Sequence, residues 1–354
     1  MNGKLLTMAL LAFSGSASAN NAVNPAIVNG SVASSANYPS IATLFIDTLE
    51  YDGRYSTGNY CGASILDANH VLTAAHCVYN NTLASLLTTV VPQLNNEEDF
   101  PSKVQPYGAK QRVRVSAIYY PDNYSNANLD LLPNDIAVLK LETPLTFSSS
   151  VFPSIPLTMT DSIESTYRAT SSAVFTAVGH GNTQSNNDDR KQKYGYLPLL
   201  KTSLEVATPA ECSSTFVNGN KLTDSHLCFK DTNTTSGLLN SACQGDSGGP
   251  AYWTDPNSQI QYQVGIASFV TSTCGSSDQT KVTSVYTEVK DYQSWIASVI
   301  AGNETPKAIS NDVLRKEWLQ KYSLSTNTSS SSGGSIGWLA MALLMFASIA
   351  RKRK

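Results

Sequence analysis

An all-β domain, a sandwich or a barrel, is predicted for the central part of this chain by three observations. Between Ile27 and about Ile300 the sequence falls into short apolar or alternating runs, Gly, Pro, Asn and Asp clusters recur between them, and helical periodicity is almost absent. At 354 residues the chain is long enough for one or two domains with sizeable cores.

The elements follow in chain order. Residues 1–19, MNGKLLTMALLAFSGSASA, set a lysine before an apolar core from Leu5 to Phe13 and end in Ala17-Ser18-Ala19, which reads as a secretory signal peptide cleaved after Ala19. Residues 20–26 are too short to fold and look like a propeptide. The predicted strands include IATLFI, GASIL, QRVRVSAIYY, DIAVLKL, AVFTAVG, YQVGIASFV and TSVYTEV. DTLEYDGRYSTGN and NNEEDFPSKVQPYG read as loop insertions; Glu97, Glu98 and Asp99 in the second lack calcium-ligand spacing and read as a solvated loop. One helix is expected at DYQSWIASVIAG, with Trp295, Ile296 and Val299 on one face and Gly302 as its stop. The domain is bounded at 27–302. Residues 303–335 hold a charged helical piece, DVLRKEWLQKY, and a Ser/Gly linker, followed by an apolar run at 336–350 and the basic end 351–354.

Composition narrows the function classes. Charged residues are 14% of the chain, the net charge is −3, and no folded segment carries a run of Lys and Arg, so nucleic acid is not an expected partner. The six cysteines, Cys61, Cys77, Cys212, Cys228, Cys243 and Cys274, suggest a disulfide framework in an exported chain, although six thiols allow about 15 pairings. No C-x-x-C or H-x-x-x-H spacing supports zinc, and neither a metal nor a cofactor is expected.

The stretch SACQGDSGGP, Ser241 to Pro250, suits neither helix nor strand. Alone it could be a glycine-rich surface turn, or a strained turn that presents Ser247 as a nucleophile while backbone N–H groups point at one spot. A serine hydroxyl needs a base, and His76 in LTAAHC, beside Cys77, is the best-placed of four histidines. An imidazole needs an orienting carboxylate. NDIAVLKL supplies Asp135 directly before an apolar strand, where a buried acid is costly unless paired.

Read together, IVNG at Ile27, CGASILDANHVLTAAHC, NDIAVLKL, CQGDSGGP, GIASF and VYTEV resemble the chymotrypsin and trypsin family of serine proteases, in family order, across Ile27 to Ile300. The resemblance implies two packed antiparallel β-barrels with the active site between them and a C-terminal helix. It implies Ser247 as nucleophile, His76 as base, Asp135 as its orienter, and an oxyanion hole from the N–H groups of Gly245 and Ser247. It also implies pairing of Cys61 with Cys77, Cys212 with Cys228 and Cys243 with Cys274, and a freed Ile27 amine that pairs with Asp246. Polypeptides are the implied substrates, and a monomer is expected.

The substrate pocket implied by the family has Ser241 at its base where trypsin-like members carry an aspartate, with Val270 and Ser284 at wall positions usually held by glycine and Ser268 beside them. A neutral base and a valine wall point to small or medium aliphatic residues before the cut, as in elastase-like members. The bond before Ile27 follows Ala26, a small residue, so self-activation or activation by a similar protease is expected. His180 stands where the family usually has tryptophan and reads as a surface substitution. His70 and His226 read as structural or exposed. A trypsin-like or broad-specificity protease, an inactive binding homologue and a surface adhesin are the alternatives.

The end of the chain resembles the bacterial GlyGly C-terminal sorting signal, with paired glycines, a short apolar helix and RKRK. That resemblance implies a short membrane-spanning tail as a transient anchor, a sorting protease that cuts near Ser332 to Gly337, and delivery to the cell surface or medium of a Gram-negative cell. A permanent anchor and a lipid-anchor signal are the rivals.

Overall fold

The computed structural model describes residues 27–327 apart from residues 55–57, 101–110, 127–130, 148–152, 157, 170–172, 186–188, 216–221, 232–236, 272 and 277–281. The expected signal peptide, propeptide, membrane tail and the linker beyond residue 327 lie outside the described residues, and among the described residues no helix is long and apolar enough to cross a membrane.

A two-residue strand, β1 (Ser31–Val32), precedes six strands of a first sheet: β2 (Ile41–Ile46), β3 (Cys61–Ile65), β4 (His70–Thr73), β5 (Thr88–Pro92), β6 (Val113–Tyr119) and β7 (Ala137–Leu141). Their neighbours run β2-β3-β4-β7-β6-β5 and return to β2, so the sheet closes into a barrel. A second set follows: β8 (Val174–Gly179), β9 (Leu200–Val206), β10 (His226–Lys230), β11 (Pro250–Thr254), β12 (Gln261–Val270) and β13 (Val282–Glu288). It closes in the same relative order, β8-β9-β10-β13-β12-β11 and back to β8. All these pairings are antiparallel, and closure leaves each ring without a long free edge. Two packed barrels are therefore the architecture that the resemblance implied.

Every residue of β3, β4 and β13 is buried. Strands covered on both faces lose strict alternation, so runs such as GASIL look uniformly apolar in sequence. The expected helix is Gln293–Ile300, with Ile296 and Val299 buried and Trp295 half-buried. Gly302, at φ +77°, ends it by giving its N–H to Val299 O at 2.9 Å. Further short helices occur, among them Thr82–Leu87 and Asp161–Ala169. The first is a single capped turn and a half, with Asn81 accepting from Ala84 N–H, too short to leave a period in sequence. The second docks through Tyr167 and Arg168, which both bond the buried Glu288 carboxylate of β13.

Both chain ends cross over. β1 pairs with β9 of the second barrel, whereas a last strand, β14 (Ala308–Ile309), pairs with β6 of the first. The charged segment then forms the helix Asp312–Asn327. Arg315 on it is only 1% exposed: Nε donates to Leu86 O at 2.7 Å, one Nη to Val115 O at 2.8 Å, and the guanidinium pairs with Glu142 at 2.6 Å. Ser310 Oγ also donates to Leu86 O, at 3.0 Å. Carbonyls at the end of a short helix and on a strand are thus satisfied by the extension.

One loop reading is corrected. Glu97 is buried at 3% exposure and paired with Arg190 at 2.8 Å, so this acid is folded onto a basic residue rather than solvated, while Glu98 stays exposed and pairs with Lys191 at 2.5 Å.

Candidate active site

The register of the first barrel brings the base and its orienter together. β4 and β7 pair with Thr73 opposite Ala137, so the turn after β4 and the residues before β7 leave the sheet at the same end. The 3-10 turn Ala75–Cys77 presents His76, and the disulfide from Cys77 to Cys61 ties that turn to the start of β3. Asp135, fully buried, accepts from His76 Nδ1 on Oδ2 at 2.7 Å and from His76 main-chain N–H on Oδ1 at 2.8 Å. Two bonds to one carboxylate fix both the ring and its backbone.

Ser247 arrives from the second barrel on the turn before β11. Asp246 N–H donates to Cys243 O at 3.0 Å, and Gly249 N–H to Asp246 O at 2.8 Å. Gly62 N–H of β3 reaches across to Ser247 O at 2.7 Å. Gly245 and Gly248 take φ values of +100° and +76°, which a larger residue adopts poorly, and a side chain on Gly248 would overlap Thr73 Oγ1, a short way before His76. The bonds of this turn engage the N–H groups of Asp246, Gly248 and Gly249, and among the described residues no bond engages those of Gly245 and Ser247. Among the described residues, His76 Nε2 contacts Cys77 Sγ at 3.8 Å and no hydrogen bond joins it to Ser247 Oγ. Such bonds tighten in the Michaelis complex.

Ser268 has a second partner besides the pocket. It lines the cavity next to Ser247, but its hydroxyl donates to Asp135 Oδ2 at 2.5 Å, from the opposite barrel. The cavity, about 90 Å³, is also lined by Ala242, Phe269, Val270 and Val285, and among the described residues no charged side chain lines it. Ser241 and Ser284, the expected base and wall, do not line it; both are buried, at 0% and 1% exposure, next to the lining residues Ala242 and Val285, with Ser241 Oγ donating to Ala242 O at 2.6 Å and Ala242 N–H donating to Ser284 Oγ at 3.0 Å. The other two disulfides, Cys212–Cys228 and Cys243–Cys274, match the implied pairings.

Charge at the site is set by burial against pairing. Burial pulls the His76 pKa down, but the Asp135 charge and hydrogen bond outweigh it and raise it above the ordinary value. For Asp135 burial pushes upward, and His76 with the Ser268 bond holds the carboxyl below its usual range. Among the described residues Asp246 has no ion-pair partner: burial pushes it up to about 7, against the opposing N–H bonds from Cys243 and Gly181 and the charge of Arg190. Its oxygens accept those two N–H groups at 2.9 and 2.8 Å.

His180 is not at the surface. It is 2% exposed, its Nδ1 lies 3.3 Å from Thr43 Oγ1, and burial, with Arg190 second, pushes it down to about 3. A neutral imidazole at that position packs as a polar core residue. His70 is likewise buried, against Asp67 at 2.9 Å. Cys61 and Cys77 gather beside His76, but their joined sulfurs offer no thiolate to a metal. Several residues at the site escaped sequence reasoning: Asn59, whose Nδ2 donates to Gly245 O at 2.8 Å, Thr287, whose hydroxyl donates to Asp135 O at 2.9 Å, and Val285 in the cavity. Only the position of Asn59 two residues before Cys61 offered a signal.

Residues 27–296 match the family model described as Trypsin. The chain belongs to the trypsin family. It is a serine endopeptidase of the chymotrypsin type. Trypsin-1 of Astacus astacus is 31% identical over 241 residues, covering 67% of this chain and 86% of that protein. A chymotrypsin-like serine proteinase of Haliotis rufescens is 28% identical over 76% of this chain and 91% of its own length. A fibrinolytic enzyme, isozyme C, of Lumbricus rubellus is 29% identical over 68% of this chain and 88% of its own. The matched span of this trypsin-family chain stops before β14 and the helix Asp312–Asn327, which are therefore an addition to the protease domain.

Proposed function

We propose that the chain is an exported serine endopeptidase that cleaves after small or medium aliphatic residues through a Ser247-His76-Asp135 triad. The observation that carries this reading is the 2.7 Å bond from His76 Nδ1 to the buried Asp135, which leaves Nε2 of the neutral ring unprotonated and able to act as a base. Ser247 Oγ attacks the peptide carbonyl carbon and its proton passes to His76 Nε2. The oxyanion is held by the N–H groups of Gly245 and Ser247. Collapse breaks the C–N bond, the leaving amine takes the proton from Nε2, and water repeats the sequence to release the acyl group.

The specificity reading rests on the cavity. Its small volume, the Val270 and Val285 walls and the uncharged lining favour a compact apolar side chain. Beyond Ile266, the partner of Pro250, β12 keeps β13 on one side only, so residues 268–270 leave a strand edge on which a peptide can lie. Cleavage-site profiling on a proteome digest is the test. Cuts after Ala, Val, Thr or Leu are expected, with Val270→Gly admitting aromatics at a gain of about tenfold or more. Dominant cleavage after Arg or Lys would refute the preference, and no cleavage at all would refute the reading.

Activation is read in the same terms. Ile27 is fully buried against Leu200, and Val28 bridges to Ser241, so the residues after the Ala26 bond lie against the segment leading into the Ser247 turn. We propose that the amine freed at Ile27 supplies the cation that Asp246 lacks. Since Ala26 suits the enzyme's own pocket, the Ser247→Ala chain made in a host without similar proteases should retain residues before Ile27. N-terminal sequencing showing a start at Ile27 would exclude self-processing.

The three disulfides favour an oxidising, extracellular setting. The proposed signal peptide and the tail with its GlyGly-like sorting signal fit that route, with the sorting protease and secretion machinery as partners.

A further inference from the structure

The residues leading into Asp135 have an unusual backbone. Leu131, Leu132 and Asn134 have φ of +49°, +47° and +60°, in the left-handed region that leucine seldom adopts, and such strain persists only where the surroundings impose it. The second barrel supplies that constraint. Tyr292 OH donates to Asn134 Oδ1 at 2.9 Å, Thr287 Oγ1 to Asp135 O at 2.9 Å, and Ser268 Oγ to Asp135 Oδ2 at 2.5 Å. The fourth contact is His226 Nε2 to Leu131 O at 3.1 Å, between residues 95 apart in the chain. His226 and Thr287 are cross-strand partners in β10 and β13, so two of the four holds come from a single rung.

The tautomer of His226 follows from its other nitrogen. Thr223 main-chain N–H points at Nδ1 at 3.1 Å, and since an N–H can only donate, Nδ1 accepts and the ring proton sits on Nε2. Nε2–H therefore donates to Leu131 O. The ring packs edge-on to Phe269 at 6.3 Å and is 7% exposed. Thr223 faces it from the preceding turn, Phe269 from β12, and Leu131 from the strained loop, while Asp135 is the charged group whose field reaches it. Burial lowers its pKa, so the neutral form that makes both bonds is favoured at the pH where His76 is a base.

We propose that His226 is a positioning residue for catalysis, holding the strained 131–135 loop so that the Asp135 carboxylate meets His76. This rests on the triad reading above. A residue that merely filled space would matter for stability alone. One that aims Asp135 would change kcat and the titration of His76, because the raised His76 pKa depends on the Asp135 contact.

The experiment compares His226→Phe, which keeps the aromatic ring but has no donor, with His226→Gln, whose amide nitrogen can occupy the Nε2 position. The mature enzyme is titrated with a fluorophosphonate that labels the active serine, and kcat is expressed per labelled site across pH 5 to 9. His226→Phe should lower kcat by about tenfold to a hundredfold with little change in KM, and shift the acid limb to lower pH, while His226→Gln recovers most of both. An unchanged kcat and acid limb in His226→Phe would overturn the proposal. If His226→Phe does not fold, His226→Asn, whose amide reaches only the Nδ1 position, is compared with His226→Gln; equal kcat and equal acid limbs overturn it. Wild-type enzyme that takes no label at Ser247 would instead overturn the triad reading, so the two failures are separate.

Discussion

Asp135→Asn should lower kcat by about ten-thousandfold, the loss typical of Ser-His-Asp triads when only the orienting carboxylate is changed. Asp135 Oδ2 now accepts from His76 Nδ1 and from Ser268 Oγ, while Oδ1 accepts the His76 main-chain N–H. An asparagine keeps the oxygen that takes the main-chain N–H but presents its NH2 to the ring. Nδ1 then becomes the acceptor, the ring proton moves to Nε2, and Ser247 has no base. The pH profile supplies an independent readout. His76 works when neutral, and its pKa is raised by Asp135, so wild-type kcat/KM should fall as pH drops through a value above the ordinary 6.5. In Asp135→Asn the acid limb of the residual rate should move down. Steady-state kinetics from pH 5 to 9 decide the matter; a loss smaller than tenfold, or an unmoved limb, would contradict the assignment.

Arg315→Ala should destabilise the protein by about 1 to 3 kcal/mol, the range for leaving a buried acceptor without its donor. The deletion leaves Val115 O without the guanidinium donor and strips one of two donors from Leu86 O. It also leaves Glu142, a partly exposed partner, unpaired. Lysine should rescue little, because a single ammonium cannot reproduce a fork that reaches two carbonyls and a carboxylate. Chemical denaturation of the chain carrying Ser247→Ala, which prevents self-digestion, measures the effect. A loss under about 1 kcal/mol, the usual worth of an exposed pair, would mean that the extension rests on the barrel without holding it.

Much of the proposed triad was legible because its members sit at fixed distances from strong local signals. His76 adjoins Cys77, Asp135 precedes an apolar strand, and Ser247 lies in a glycine turn. Val270, which lines the cavity, followed from the same blocks. What stayed hidden depends on residues that meet only after both barrels close. Ser268 donates to a carboxylate 133 residues away, and Arg190 finds Glu97 across 93 residues, which turns an apparently solvated acidic loop into a buried pair. His180 was misplaced because a polar residue between glycines carries no burial signal. His226 was grouped with His70, although its partner Leu131 makes it different. Among helices, Gln293–Ile300 showed an apolar face with a glycine stop, whereas Asp161–Ala169 is anchored by Tyr167 on a distant Glu288.

The crossed chain ends have a mechanical consequence. β1 grips the second barrel, whereas β14 and the helix pinned by Arg315 grip the first. A pull on the chain beyond residue 327 would therefore load the barrel that carries His76 and Asp135 before it reached the helix Gln293–Ile300. Tension applied between the two ends would run from one barrel to the other, through the Gly62–Ser247 tie and the grip on the Asp135 loop. Any tether fixed after that helix would thus pull first on the barrel of His76 and Asp135 rather than on the one that carries Ser247.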